Sequence, residues 1–223
     1  MDTISAYFQL MKERPELFKE SGRIPLILDE NEMRAFSART GKPMGVVYDN
    51  TPFYLVLADL CGDSRGLYSY ARVIYSNPKS SGCIAVPRRG KQFGLLRIFR
   101  HAPRQWSMEF PRGFAENLSL TAEENVRKEL SEELGISKEA CTITFLGDVR
   151  ADSGMSNGTA QIFLADLPSS VQIIPAEEEG IGGFIWVSED ELKKMICNGE
   201  ITDGFTLSAY ARLVCANGAA LRK

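Results

Sequence analysis

The sequence predicts an α/β fold in which helices cover a mixed β-sheet. Runs of β-branched and aromatic residues, bounded by turn residues, recur about every ten positions between 44 and 110. An amphipathic helix is predicted over 122–134, and strand-like runs resume between 142 and 187 before two further helices. Strands on both sides of a helix in one chain are typical of a sheet with helices packed against it.

The first 42 residues are predicted to form an extension, residues 1–42, in front of a main domain, residues 43–223. Apolar residues at helical spacing predict one helix near the start of the chain, and Asp29 followed by Glu32 predicts a second, capped helix. A short apolar run that suits a strand, 24–28, lies between them. We expect this extension to pack on the main domain or on a partner subunit.

Turn signals divide the main domain into short strands. The predicted strands are 45–48, 53–58, 67–75, 83–86, 93–100, 106–110, 142–146, 159–164 and 184–187. The turn at 88–91 is expected to join two of them as a hairpin. Trp106 and Phe110 alternate on one strand and are expected in the core, with a stacking role for Trp106 as the alternative.

Capping residues mark the helices. Thr121 with Glu124 is a capping box and Gly135 is a stop signal, so they bracket the helix predicted over 122–134. A second capping box, formed by Ser188 and Glu191, predicts the start of a later helix.

Composition narrows the class of protein. The 223 residues carry a net charge of −3, which gives no basic face for nucleic acid or an anionic membrane. The sequence shows no secretion signal pattern and no apolar run of the roughly 18 residues that a membrane span needs. Its five cysteines are scattered, as expected for free thiols in a reducing compartment. We expect a cytoplasmic protein that binds neither nucleic acid nor membrane.

The chain has one histidine, His101, which excludes a metal site built from several histidines. Beside Arg100, this histidine is either a surface or strand residue or a catalyst. Chemistry is therefore expected mainly from carboxylates and hard metal ions.

The predicted helix carries three carboxylates within five positions: Glu129, Glu132 and Glu133. At about 100° per residue they form a stripe beside an apolar one. That apolar stripe consists of Val126, Leu130 and Leu134. Like charges a few ångströms apart repel, and a bound Mg²⁺ or Mn²⁺ would reverse this, because hard cations prefer oxygen ligands. The alternative is a solvated acidic face.

Residues 128–136, Lys-Glu-Leu-Ser-Glu-Glu-Leu-Gly-Ile, resemble the tail of the Nudix hydrolase box, R-E-U-x-E-E-x-G-U with U aliphatic, and Gly113 matches its leading glycine. Residues 109–113, Glu-Phe-Pro-Arg-Gly, are similar to the E-x-P-x-G motif of the ADP-ribose and nucleotide-sugar pyrophosphatase branch. Further segments that resemble this branch are 96–100, 152–156, 186–192 and 199–206. The resemblance implies a Nudix-type α/β/α sandwich with a mixed sheet, behind an N-terminal helix and strand extension.

The sequence departs from the box in three places. Lys128 replaces its arginine, Leu120 stands where the box has a glutamate, and the loop from Gly113 to Glu129 is one residue longer. The nearest carboxylate in that loop is Glu116. An alternative function is therefore a catalytically weak or inactive Nudix-like module that binds a nucleotide.

The resemblance implies a metal site. Glu129 and Glu133 would bind Mg²⁺, or Mn²⁺ in its place, and the backbone carbonyl of Arg112 would supply another oxygen. Glu132 would bind the metal itself or contact a residue that binds it. It would also serve as a catalytic carboxylate. Such metal ions neutralise phosphoryl charge and lower the pKa of the attacking water.

The resemblance also implies substrate contacts. Arg97 and Arg100 lie in the run that resembles a strand with a Q-Y-R-like arginine, and Arg100 is the candidate for a phosphate or base contact. Its alternative is a surface ion pair. Glu109 would accept hydrogen bonds from a base or ribose, or would pair with a nearby arginine. Arg112 would touch phosphate or point to solvent.

The implied reaction is Mg²⁺-dependent hydrolysis of the pyrophosphate bond of ADP-ribose or a related nucleoside diphosphate sugar. The products would be a nucleoside monophosphate and a sugar phosphate. Glu178 or Glu179 in the acidic run 177–179 would orient the attacking water, the alternative being a solvated loop. Relatives in this branch dimerise through N-terminal strands, so a homodimer formed through residues 1–42 is expected.

Overall fold

The structure, a computed structural model, describes residues 1–19, 24–79, 81–115, 117–176 and 180–220. The chain divides into two compact units. Unit 1 comprises Met1–Pro78 and Asp152–Gly158, and unit 2 comprises Lys79–Ala151 and Thr159–Lys223. Residues 43–78 thus belong to the same compact unit as residues 1–42. The role of residues 1–42 in dimerisation stays a prediction.

Unit 1 consists of a three-stranded antiparallel sheet and two helices that share one apolar core. Its elements are α1 (Thr3–Glu13), α2 (Glu30–Thr40), β1 (Gly45–Asn50), β2 (Tyr54–Asp63) and β3 (Gly66–Tyr75). The capped start of α2 is confirmed, because the Asp29 side chain accepts the N–H of Glu32 at 2.9 Å. The strand expected at 24–28 is reduced to a single bridge between Leu26 and Cys61.

A buried polar network ties the elements of unit 1 together. Asp59, which is fully buried on β2, accepts a hydrogen bond from the Tyr7 hydroxyl at 2.5 Å. It also accepts two from the Arg72 guanidinium, one of them at 2.8 Å. Another Arg72 nitrogen donates to the carbonyl of Leu17 at 3.0 Å, in a short 3-10 helix, Pro15–Phe18, that follows α1. The network therefore joins α1 to β2 and β3.

Unit 2 contains a seven-stranded mixed sheet. Its strands are β4 (Gly82–Arg89), β5 (Gln92–Arg100), β6 (Gln105–Glu109), β7 (Arg112–Phe114), β8 (Thr142–Val149), β9 (Ala160–Asp166) and β10 (Ile181–Ser188). The order is β10-β5-β4-β9-β8, with β6 on β5 and β7 on β4. Only β4 and β9 run parallel among these described pairs. The expected hairpin is confirmed where Arg89 pairs with Gln92, and β7 is a strand that the sequence did not predict.

Helices cover both faces of this sheet. One face carries α3 (Ala122–Leu134), and the other carries α4 (Glu189–Cys197) and α5 (Gly204–Ala220). Consecutive strand residues alternate between the two cores, so that Cys83 and Phe163 face α3 whereas Ile84 and Ile162 face α5. This arrangement confirms the α/β/α sandwich. No helix in the described ranges is long and apolar enough to cross a membrane.

Helix α3 begins and ends where its capping residues predict. Thr121 accepts the N–H of Glu124, whose carboxylate in turn accepts the N–H of Thr121 at 2.8 Å. Gly135 ends the helix with a φ of +65°, in the left-handed region that favours glycine. The predicted apolar stripe is buried against the sheet: Val126, Leu130 and Leu134. The rotation of α3 about its axis is therefore fixed by that stripe.

Candidate active site

The carboxylate of Glu129 lies directly against the backbone of Gly113. A β-carbon placed on Gly113 would overlap the carboxyl carbon and both carboxyl oxygens of Glu129. This contact arises because Gly113 lies in β7, which pairs with β4 beneath α3. The Glu129 side of the helix is buried there, with Glu129 only 8% exposed. The glycine loop and the acidic helix thus form one site.

The three motif glutamates of α3, Glu129, Glu132 and Glu133, do not point the same way. Glu129 and Glu133, one helical turn apart, are both buried, whereas the Glu132 side chain is 55% exposed. Lys128 pairs with Glu132 at 2.6 Å, and its ammonium lies 3.6 Å from Glu129. Burial, together with the negative charges of Glu129 and Glu133, raises the pKa of the Cys83 thiol to about 12. Glu129 and Glu133 thus place negative charge beside Cys83, next to the apolar stripe of α3.

The backbone carbonyl of Arg112 is not used in the ladder between β7 and β4. Ala85 donates its N–H to the Pro111 carbonyl at 2.8 Å, so this cross-strand pair is hydrogen-bonded. The next pair, Ile84 with Arg112, is then a non-hydrogen-bonded one, because the two kinds alternate in an antiparallel ladder. The Arg112 carbonyl consequently points away from β4, one residue before Gly113.

These oxygens suit a hard divalent cation. Glu129 and Glu133 offer two buried carboxylates and Arg112 a carbonyl, and Mg²⁺ prefers such oxygens while it keeps several waters. Among the described residues, no group of three or more His, Cys, Asp or Glu side chains could hold a metal ion by itself. The backbone oxygen and water would therefore be needed to complete the coordination.

A second cluster of charged residues surrounds Glu109. This carboxylate is 1% exposed and accepts hydrogen bonds from Arg100 at 2.6 and 3.1 Å and from Arg112 at 2.8 Å. Burial alone would raise the pKa of Glu109, but the hydrogen bonds and positive charges of the two arginines hold it below its ordinary value. Glu109 therefore pairs with nearby arginines, which is the second of the two roles predicted for it. Arg100 forms an ion pair with Glu109.

The cluster continues to the start of α5. One Arg112 nitrogen lies 3.3 Å from Asp203, and the guanidinium carbon lies 4.8 Å from the centre of the Phe205 ring. Asp203 caps α5 by accepting the N–H and the hydroxyl of Thr206, both at 2.8 Å. The Arg112 side chain thus packs at α5, since its register partner Ile84 faces the core on that side of the sheet.

A cavity of about 370 Å³ borders this cluster, and its walls include Arg100, Ser107, Glu109 and Asp203. His101 also borders it and is exposed, with its ring nitrogen 2.8 Å from an Arg104 nitrogen. The sequence motifs predict no role for Asp203 by itself. An aspartate three positions before a threonine at a helix start is a capping signal that could have singled it out.

Arg97 lies apart from this cluster. It is three positions from Arg100 on β5, so the two side chains point to opposite faces of the strand. Its guanidinium carbon lies 4.1 Å from the centre of the Trp106 ring, which is 45% exposed. The expectation that Trp106 belongs to the core is wrong, because β6 pairs with β5 alone among the described strands and leaves that ring at the surface. Phe110 is fully buried, as expected.

Three of the glutamates considered above, Glu116, Glu178 and Glu179, lie outside the described residues. The last described residue before the acidic run, Ala176, donates its N–H to the carbonyl of Glu133 at 3.0 Å. The chain therefore reaches α3 immediately before that run. The catalytic role of Glu178 or Glu179 stays a prediction.

Comparison with known proteins gives one family and one fold. A family model described as "NUDIX domain" matches residues 77–204, more than half of the chain. A solved structure, "Crystal structure of ADP compounds hydrolase", is similar with a TM-score of 0.64 and 15% sequence identity. The match covers 92% of this chain and 100% of the other. At that identity it establishes a shared fold alone. No curated protein matches the sequence.

Proposed function

The chain belongs to the NUDIX family, and we propose that it hydrolyses the pyrophosphate bond of ADP-ribose or a related nucleoside diphosphate sugar in a Mg²⁺-dependent reaction. The products would be a nucleoside monophosphate and a sugar phosphate. The observation that carries this proposal is the pair of buried carboxylates on α3, Glu129 and Glu133, with Glu129 seated on Gly113. The similar structure named as an ADP compounds hydrolase supports an ADP-containing substrate.

The fold itself positions the oxygens of the proposed metal site, before any substrate binds. Glu129 is confined by Gly113, Glu133 is buried one turn later, and the Arg112 carbonyl points away from its ladder. Bound there, Mg²⁺ would neutralise charge on the diphosphate and lower the pKa of a coordinated water. Glu132 projects toward solvent beside Lys128, so we expect it to contribute less than its two neighbours.

We infer that Arg100 contacts the substrate from the cavity beside Glu109. Glu109 holds the Arg100 guanidinium through two hydrogen-bonded nitrogens, which orients it at the cavity wall. Because Glu109 is already engaged by two arginines, we expect it to position them instead of accepting hydrogen bonds from a base or ribose. Arg112 would act through its carbonyl, with its side chain held at Asp203.

The proposal is tested by measuring AMP release from ADP-ribose with and without Mg²⁺. Glu129→Gln and Glu133→Gln are expected to lower kcat/KM by on the order of 10²–10³, because each removes a charged ligand from a buried site. Glu132→Gln is the matched control on the same helix and should cost less than either. Metal-independent hydrolysis, or equal activity of Glu133→Gln and the wild type, would contradict the metal assignment.

The alternative, a module that binds a nucleotide without turnover, is separated by the same assay. Tight ADP-ribose binding with no AMP release under any divalent metal would favour it. The departures at Lys128 and Leu120 are the features of the sequence that keep this alternative in view.

We also propose that the protein is a cytoplasmic homodimer in which residues 1–42 take part in the subunit contact. The mass of one chain is 24.8 kDa, so light scattering should give about twice that value at micromolar concentration. A mass that stays at one chain as the concentration rises would contradict the dimer.

A further inference from the structure

Three buried polar residues follow one another at intervals of four along α3: Asn125, Glu129 and Glu133. Residues four apart lie on one side of a helix and are separated by about 6 Å along its axis. Asn125 is only 4% exposed, although its side chain is an amide. The two proposed metal ligands therefore belong to a polar row that begins with Asn125.

The first two members of the polar row contact one pair of opposite strand residues. The Asn125 amide donates a hydrogen bond to the sulfur of Cys83 at 3.3 Å. Cys83 on β4 is the register partner of Gly113 on β7, against which the Glu129 carboxylate lies. Opposite residues in an antiparallel pair are about 5 Å apart, which is close to the spacing along the polar row. Asn125 and Glu129 can therefore engage the two members of this pair at the same time.

The electrostatics of the Cys83 thiol reflect the same proximity. Burial and the negative charge of Glu129 raise its pKa, whereas hydrogen bonds from the Gly113 backbone and the Asn125 amide lower it. The net result is a pKa of about 12, so the group is a neutral thiol at neutral pH. Cys83 thus lies within interaction range of Asn125, Gly113 and Glu129 at once.

Stability alone does not explain a buried amide at position 125. Outside the polar row, the buried polar side chains of the described residues each take part in two or more hydrogen bonds: Asp59, Glu109 and Thr206. The Asn125 side chain makes a single one among the described residues, and sulfur is a weak acceptor. An apolar side chain of similar shape would avoid the cost of burying an amide with incomplete hydrogen bonding.

The hydrogen bond of Asn125 supplies a direction that apolar packing lacks. The apolar stripe of α3 sets the rotation of the helix, but the hydrophobic effect is non-directional and resists a small shift along the axis only weakly. A hydrogen bond weakens steeply when its geometry changes, so the bond to Cys83 opposes such a shift. Since Glu129 is one turn away, any shift of α3 would also move its carboxylate.

We propose that Asn125 is a positioning residue for Glu129. Through Cys83, it fixes α3 along its axis at the place where the Glu129 carboxylate is seated on Gly113 and can hold a divalent cation. Asn125 itself contacts neither the cation nor the substrate. The inference rests on the proposed function, in which Glu129 and Glu133 bind Mg²⁺.

The test measures Mn²⁺ binding without substrate, by electron paramagnetic resonance of the free ion, together with urea unfolding. Asn125→Leu is expected to weaken Mn²⁺ binding by about tenfold, as for other residues that orient metal ligands. Its kcat/KM for ADP-ribose should fall by about 10- to 100-fold, while its unfolding midpoint stays equal or rises. Val126→Ala is the matched control: its midpoint should fall because of the cavity, with Mn²⁺ affinity within about twofold of the wild type.

Variants of Cys83 test whether the hydrogen bond itself is responsible. Cys83→Ala removes the acceptor and should weaken Mn²⁺ binding about as much as Asn125→Leu, whereas Cys83→Ser keeps an acceptor and should weaken it less. The double variant Asn125→Leu/Cys83→Ala should bind Mn²⁺ no more weakly than either single variant, because both changes break the same bond. Additive losses in the double variant would overturn the inference.

The outcomes separate this inference from the proposed function. If the wild type hydrolyses ADP-ribose but Asn125→Leu keeps its Mn²⁺ affinity, the positioning role is overturned and the proposed function stands. The same holds if Asn125→Leu and Val126→Ala both lose stability and Mn²⁺ affinity together. If the selective loss of Mn²⁺ affinity occurs in a protein without hydrolytic activity, the proposed function fails and the positioning role stands. A wild type that binds no Mn²⁺ overturns the positioning role.

Discussion

Gly113 and Glu129 are fitted to one another: the carboxylate of Glu129 occupies the space that a β-carbon on residue 113 would need. The first residue belongs to a strand of the sheet and the second to the helix that covers it. A glycine is therefore required at 113 by the packing of a functional side chain. The close approach fixes where the carboxylate of Glu129 can lie.

We predict that Gly113→Ala abolishes most of the activity while the chain still folds. The added methyl group must push the Glu129 carboxylate out of its place, and overpacking of this kind typically costs about 1–3 kcal/mol of stability. A displacement of about 1 Å at a reacting group costs on the order of 100-fold in rate. The measurement is AMP release with saturating Mg²⁺, together with the free energy of unfolding in urea.

Gly62→Ala supplies the control for that substitution. A β-carbon at residue 62 would meet its nearest neighbour, a Leu67 methyl carbon, at an ordinary distance of 3.4 Å. This variant should keep its activity and change stability little. Full activity in Gly113→Ala would mean that the position of the Glu129 carboxylate is unimportant.

The ion-pair cluster around Glu109 predicts a large loss of stability in Glu109→Gln. Arg100 and Arg112 would each lose a charged partner in a largely buried setting, and breaking a buried pair costs about 3 kcal/mol. Equilibrium unfolding in urea measures this loss. Glu30→Gln, which breaks an exposed pair with Arg34, is the control and should cost about 0.5 kcal/mol or less.

The stability difference between the wild type and Glu109→Gln is also predicted to depend on pH. The pKa of Glu109 is lowered in the folded protein, so its ionised form stabilises the fold above the ordinary pKa of 4.5. That stability is lost as the pH falls through the folded pKa. The difference in unfolding free energy between the wild type and Glu109→Gln should therefore be constant above pH 4.5 and should shrink below it. A difference that grows on acidification would contradict the lowered pKa.

In unit 1, Tyr7→Phe is predicted to cost about 1 kcal/mol and Asp59→Asn about 3 kcal/mol. The first removes one hydrogen bond to Asp59, whereas the second leaves the Arg72 guanidinium without its charged partner. Urea unfolding of both variants measures the two costs. Tyr68→Phe is the control, since its hydroxyl makes no hydrogen bond among the described residues. A cost for Tyr7→Phe no larger than for this control would argue against the network.

Tyr7 also predicts behaviour at high pH. Burial and the negative charge of Asp59 raise its pKa above the ordinary value of 10.0. A raised pKa gives stability that is complete below pH 10 and is lost as the pH rises through the folded value. The stability advantage of the wild type over Tyr7→Phe should therefore decrease above pH 10.

Cysteine labelling is predicted to divide the five thiols into two classes. Cys197 and Cys215 are exposed and should react with iodoacetamide at pH 8. Cys61, Cys83 and Cys141 are buried, and burial raises the pKa of Cys61 to about 11, so these thiols should stay unlabelled. Mass spectrometry of the labelled native protein measures this, with labelling in urea as the control. Rapid native labelling of Cys61 would contradict its burial.

The elements of this fold were largely readable from the sequence, because their signals are local. The capping box at Thr121 and the stop at Gly135 set both ends of α3. Strand β7 escaped prediction because its three residues have no periodicity of their own and depend on pairing with β4. Trp106 was misplaced because alternation along β6 does not reveal that this strand lies at an edge of the sheet.

The candidate site, too, was predictable from the sequence only in part. The motif in the sequence singled out Glu129, Glu132 and Glu133 as a group, but it did not separate the two that are buried from the one that is exposed. That separation depends on the rotation of α3, which the packing of its apolar stripe against the sheet sets. The pairing of Arg112 with Asp203 could not be predicted from the sequence, since these residues are 91 positions apart.

The sequence by itself determined the α/β class, the helix that carries the carboxylates and the family to which the chain belongs. Those features are encoded by spacing along the chain, through capping, periodicity and a contiguous motif. Only the tertiary structure decided that Glu129 is seated on Gly113, that Arg97 and Arg100 diverge, and that Arg112 pairs with Asp203. Each of these depends on strand register and on the face that a side chain takes, and both are settled by packing between distant segments.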